Sequence, residues 1–156
     1  MGLDAERQMT AAACCGIDPG REKFGLAVGS AAELLFSAII PRDRMALAVS
    51  CMASGDMSGI SRWGVEGSAM KTSRIHTAYL GGGTGHRSYM EPIARAEIVL
   101  VIVDERNTTL EGRKLYWALH PRTGLSRLIP VSLMTPPRPV DDLAAWTILK
   151  RGLGLR

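Results

Sequence analysis

Glu97–Arg106 reads EIVLVIVDER, six apolar residues in unbroken succession closed by two acids and an arginine. A continuous β-branched run of this length suits a strand covered on both faces, and such strands belong to the parallel part of an α/β sheet. The run predicts a parallel strand inside the sheet, with Asp104 and Glu105 at its carboxyl end.

Downstream, Asn107 or Thr108 is a candidate cap for a helix over TLEGRKLYWALH, which stops before Pro121. Residues 121–139 hold five of the eight prolines together with Arg122, Arg127 and Arg138. They predict a long extended loop. The last element begins at Asp141 or Asp142 and continues through LAAWTILKRGL. Acid at its start and Lys150 and Arg151 near its end match the helix macrodipole.

Upstream, AAACCGID, the turn Pro19-Gly20 and KFGLAVG predict a β-hairpin. A third strand over Glu33–Ile40 is closed by Pro41, and RDRMALAVSCMA has helical spacing. IHTAYL is a fourth strand running into the glycines that start at Gly81, and Arg87–Ala96 reads as a short helix. Residues 54–74 are rich in Gly and Ser and show no period, so no element is assigned to them. Residues 1–11 read as a flexible leader and residues 12–156 as one domain, since 156 residues fill one core and not two.

The composition, 46% hydrophobic and 22% charged, is that of a globular protein. No apolar run approaches the roughly 20 residues that cross a bilayer, which makes the cytoplasm the expected location. Cys14, Cys15 and Cys51 form no CxxC and are read as small buried apolar residues. His76, His86 and His120 have no zinc-ligand spacing. A net charge of +4 favours a polyanionic partner modestly.

Three acidic positions lie at element ends: Asp18, Asp104 with Glu105, and Asp141 with Asp142. Taken singly, each has a plain structural role as a turn residue, a solvated strand end or a helix cap. In a parallel α/β sheet, however, the carboxyl ends of strands share one edge, so these groups can converge. Converging carboxylates hold hard divalent cations such as Mg²⁺ or Mn²⁺, which activate water and stabilise a leaving oxygen in phosphodiester hydrolysis. GGGTGHR at Gly81–Arg87 fails both the Walker and the dinucleotide patterns and reads as a tight strand-to-helix turn. Trp117 and Trp146 are expected in the core, and Trp63 is the aromatic available to stack on a base.

GIDPGREKFGLAVG, VDERNTTLEGRKLYW and PPRPVDDLAAWTIL resemble, in this order, the three signature stretches of the YqgF family. That family is a RuvC-related branch of the RNase H-like superfamily, and its members are Holliday-junction resolvase-like or process the 5′ end of precursor ribosomal RNA. The resemblance spans about residues 13–40 and 75–151. It implies an RNase H-like α/β fold with a mixed five-stranded sheet flanked by helices. It also implies a metal-dependent nuclease acting on DNA or RNA with secondary structure, as a monomer or homodimer. Asp18, Asp104, Glu105 and Asp141 would be catalytic. Asp18, Asp104 and Asp141 would bind metal, with Asp142 as a substitute. Arg106, Thr108 and Thr109 would shape the site or touch phosphate, and Arg122 and Arg138 in the long loop would contact substrate. RuvC-type resolvases carry a glutamate in the fourth strand, where this chain has glycines; Glu66 lies upstream as a candidate replacement. A domain that binds nucleic acid without cleaving it is the competing reading. The Asp-Pro-Gly after strand one also resembles the phosphate loop of the actin and sugar-kinase superfamily, whose two lobes exceed this chain's length.

Overall fold

The computed structural model describes residues 13–83 and 85–154. The leader expected at 1–11 lies outside them. The hairpin forms as β1 (Cys14–Asp18) and β2 (Lys23–Gly29), antiparallel, with Asp18 opposite Gly25. The chain returns along β2 as β3 (Leu34–Pro41), also antiparallel. A 3₁₀ turn at Arg42–Arg44 leads into α1 (Met45–Ser54), which stops where Gly55 takes φ 79°. β4 (Thr77–Gly81) then pairs parallel to β1, and β5 (Val99–Val103) pairs parallel to β4 after α2 (Arg87–Arg95). Two further helices follow, α3 (Thr108–Leu119) and α4 (Asp141–Gly152).

The sheet order is β3-β2-β1-β4-β5, a mixed five-stranded sheet flanked by helices. Order and strand directions are those of the RNase H-like fold. Alternation along the strands divides the interior in two. Cys15, Ile17, Phe24, Leu26, Phe36 and Ile40 point to one face, where they bury against α1 and α2. Ala27 points to the other, with Leu143, Ala145, Trp146 and Leu149 of α4. α3 packs chiefly on α4. None of the described helices is long and apolar enough to cross a membrane.

Several expectations change. β5 is parallel as predicted, but it forms the margin of the sheet, with Val99 62% and Ile102 46% exposed. Its β-branched run satisfies strand geometry rather than burial on two faces, because α3 leaves it to lie on α4. The unassigned stretch 54–74 contains a 3₁₀ helix, Met57–Trp63, that buries Met57 and Ile60. Beyond it, residues 64–69 run along the outer edge of β3: the Val65 amide donates to the Ser37 carbonyl, the Ser37 amide to Glu66 and the Ala69 amide to Leu35. Residues 121–139 form the irregular loop expected, interrupted by 3₁₀ turns at Gly124–Leu128 and Val131–Leu133. The cap of α3 also differs. Asn107 stands at the cap with φ 61° and no side-chain cap bond, while the Thr108 hydroxyl reaches back to the Glu105 carbonyl. Trp146 is buried and Trp117 half-buried; Trp63 packs against the core rather than standing free.

Candidate catalytic site

Asp18 ends β1 on the face that α4 covers. Gly25 lies beside it on β2, and on the other side Gly81 follows Leu80, the partner of Ile17 on β4. Both glycines are required by close approach. A Cβ at Gly25 would lie 1.9 Å from the carbonyl oxygen of Asp141. A Cβ at Gly81 would lie 2.3 Å from Glu105 Oε2, and one at Gly83 would overlap the same carboxylate. Asp18 therefore sits between two bare strand positions, one roofed by the start of α4 and the other by the side chain that follows β5.

The electrostatics follow from this arrangement. Burial pushes the Asp18 carboxyl up to about 7, and the neighbouring Asp141 and Glu105 carboxylates push in the same direction. Burial also raises Glu105, against the opposing pull of the Gly83 amide and His86. Glu105 Oε2 is buried without a hydrogen-bond partner among the described residues. Lys23 Nζ, 3.4 Å from Asp141 Oδ2, partly offsets the negative charge. An all-oxygen set of mutually repelling carboxylates, one oxygen of it orphaned, fits a hard divalent cation in kind. Among the described residues, no three His, Cys, Asp or Glu side chains are grouped closely enough to hold a metal ion as they stand.

The other expected site residues have different surroundings. Asp104 faces solvent and pairs with Arg106 at 3.0 Å; hydrogen bonds from the Arg106 amide and guanidinium hold its carboxyl below the usual range. Of the two adjacent acids, it is Glu105 that turns toward Asp18. Asp142 does not join the cluster. Its carboxylate is fully buried, accepts from Ser37 Oγ at 2.6 Å and pairs with Arg138 at 2.8 Å. Arg138 is correspondingly engaged inside the protein, bridging Asp142 and Glu66. Arg122 is likewise occupied, donating to the carbonyls of Ser126 and Ile129 and to the Met134 sulfur. Neither arginine, as placed, extends to a substrate. Thr108 is buried and fixes the Glu105 backbone through both its amide and its hydroxyl. Thr109 is exposed and shares a hollow of about 290 Å³ with Arg113 and Asp141.

Glu66 is no substitute for the missing fourth-strand acid. It accepts from His120 Nε2 at 2.6 Å and from Arg138 at 2.7 Å; burial alone would raise its carboxyl, but these bonds outweigh that and hold it low. Sequence reasoning missed Lys23, Arg113 and Ser37. Lys23 and Ser37 lie on strands far from α4 in sequence, with no local signal. Arg113 stands one turn after Thr109, a spacing that places the two on one helix face.

No family model matches the chain, and no curated protein does. Among solved structures the chain is similar to the Thermus thermophilus RuvC structure, at 16% identity over 91% of this chain and 96% of that one, TM-score 0.40. It is also similar to T. thermophilus RuvC in complex with a Holliday junction substrate, at 15% identity over 92% and 97%, TM-score 0.39.

Proposed function

We propose that this chain is a metal-dependent nuclease that hydrolyses phosphodiester bonds in structured DNA or RNA, in the manner of the YqgF family that its three motifs resemble. The reading treats residues 12–156 as one catalytic domain and the cytoplasm as its location. Its main support is the position of Asp18, half enclosed and close enough to both Glu105 and Asp141 for their charges to raise it, with Lys23 beside Asp141.

In this reading Asp18, Glu105 and Asp141 hold Mg²⁺ or Mn²⁺, and Asp104 remains the outer member of the pair that follows β5. A divalent ion held there would supply Lewis-acid polarisation of the phosphate and lower the pKa of a water. The chain's own residues do the rest. Thr108 fixes the Glu105 backbone, Lys23 restrains Asp141, and the Arg106 fork, 87% exposed, presents donors to a phosphate at the hollow it shares with Gly83 and Glu105. Thr109 and Arg113 line the approach past Asp141.

The decisive experiment is cleavage of a labelled four-way junction and of a precursor ribosomal RNA 5′ segment, each with Mg²⁺, with Mn²⁺ and with EDTA. Metal-dependent products that vanish in Asp18→Asn, while binding persists, support the nuclease. A second reading, a binding domain without cleavage, draws on the bare glycines of β4 and on the separation of the carboxylates as they stand. Binding by the wild type with no product in either metal selects it.

A further inference from the structure

Three hollows on the α3 side of the molecule share their walls. The one beside Glu105 shares Val103, Asp104 and Arg106 with a groove of about 1160 Å³ between α3 and α4. That groove shares Lys114 and Ala118 with a third hollow of about 560 Å³ at the end of α3, which Trp117, Arg122 and Arg127 also line. The three hollows adjoin one another in a row, hereafter the trench, that starts beside Glu105 and follows α3. From Asn107 to Trp117 it runs about 15 Å, the length of four or five stacked nucleotides at roughly 3.4 Å each.

The trench is unequally charged. Its acids are already engaged: Asp104 with Arg106, and Glu111 with Arg151 at 2.8 Å. Among the described residues Lys114 has no acidic partner; Lys150 lies 3.9 Å over the Trp146 ring, and Arg127 donates to the Arg122 carbonyl. No acid lines the distal hollow. Trp117 lines it too, its buried indole N–H without a partner among the described residues.

We infer that the trench along α3 carries one strand of the nucleic acid, its phosphates on Lys114, Lys150 and Arg127, and a base against Trp117. This extends the nuclease reading and takes over the contacts that Arg122 and Arg138, both engaged internally, do not make. Cations without acidic partners select a polyanion, and an aromatic wall at the far end selects one that bears bases over an acidic peptide.

The test is fluorescence anisotropy of the full chain with a labelled single-stranded DNA and its RNA counterpart, in EDTA, across a salt series. Lys114→Gln and Arg127→Gln should each lower the slope of log affinity against log salt by about 0.7, and the double variant by about 1.4. Arg95→Gln, on α2 and paired with Glu91, should leave it unchanged. Equal losses on DNA and RNA identify the shared phosphodiester; a loss on one alone identifies that nucleic acid as the occupant. Thermal unfolding confirms that each variant is folded, and a failure of one leaves the other to decide. Unchanged slopes, an equal loss in Arg95→Gln, or displacement of the oligonucleotide by polyglutamate at matched charge would overturn the inference. Because cleavage plays no part, slopes that fall without any metal-dependent product would leave the trench standing and remove the nuclease.

Discussion

Asp18 holds its proton up to about pH 7 because the fold removes water from it and sets two carboxylates beside it. The folded value lies above the unfolded one, so the charged form is the disfavoured one in the native state. Its contribution to stability is complete below about pH 4 and is lost as pH rises through 7. Asp18→Asn should therefore melt close to the wild type at pH 4. At pH 8, without divalent ions, it should be more stable by about 2 kcal/mol, a figure discounted for the water that still reaches the site. Paired melting curves across that range isolate the effect, and equal melting temperatures at pH 8 would count against it. Mn²⁺ should raise the wild-type melting temperature in proportion to the logarithm of its concentration once the site fills. Asp18→Asn and Glu105→Gln should each abolish that rise. Sequence alone did not separate Asp104 from Glu105, because which of two adjacent acids turns inward depends on the backbone between β5 and α3. The glycines at the end of β4 and just after it held the answer: bare positions at Gly81 and Gly83 leave room for the Glu105 side chain.

At the scale of elements, α4 shows why adjacent acids differ. Successive helical residues are turned by about 100°, so if Asp141 faces β1, then Asp142 points elsewhere, here onto Ser37 of β3. The paired acids marked the start of the helix correctly and said nothing about this rotation. Arg138 lies in the loop before the helix, so helical spacing did not mark its pairing with Asp142. Removing the carboxylate with Asp142→Ala should cost about 3 kcal/mol, because the partly buried guanidinium keeps only Glu66 and the buried Ser37 hydroxyl loses its acceptor, and chemical denaturation measures it. Gly25→Ala should act differently. Its new methyl meets the Asp141 carbonyl, so the start of α4 must move, and metal-linked stabilisation should fall by more than overall stability does. The hairpin, β4 and α4 were legible because turn chemistry and hydrophobic period agree there. Residues 54–74 were not, since 64–69 take their order from pairing with β3 and Met57 and Ile60 take theirs from the core, long-range contacts that no local pattern encodes.

For the molecule as a whole, the two margins of the sheet are unlike. Residues 64–69 close the β3 side by backbone hydrogen bonds, whereas among the described residues nothing pairs with the outer side of β5. Val99, Val101 and Ile102 are exposed there. Among the described residues the sheet has one vacant margin at which to add a neighbour, and once two copies join margin to margin that margin is filled in both. Self-association by this route ends at a pair and cannot propagate into a fibre. Sedimentation at rising concentration should find nothing larger than two copies built this way, and Val101→Lys should return any pair to single chains.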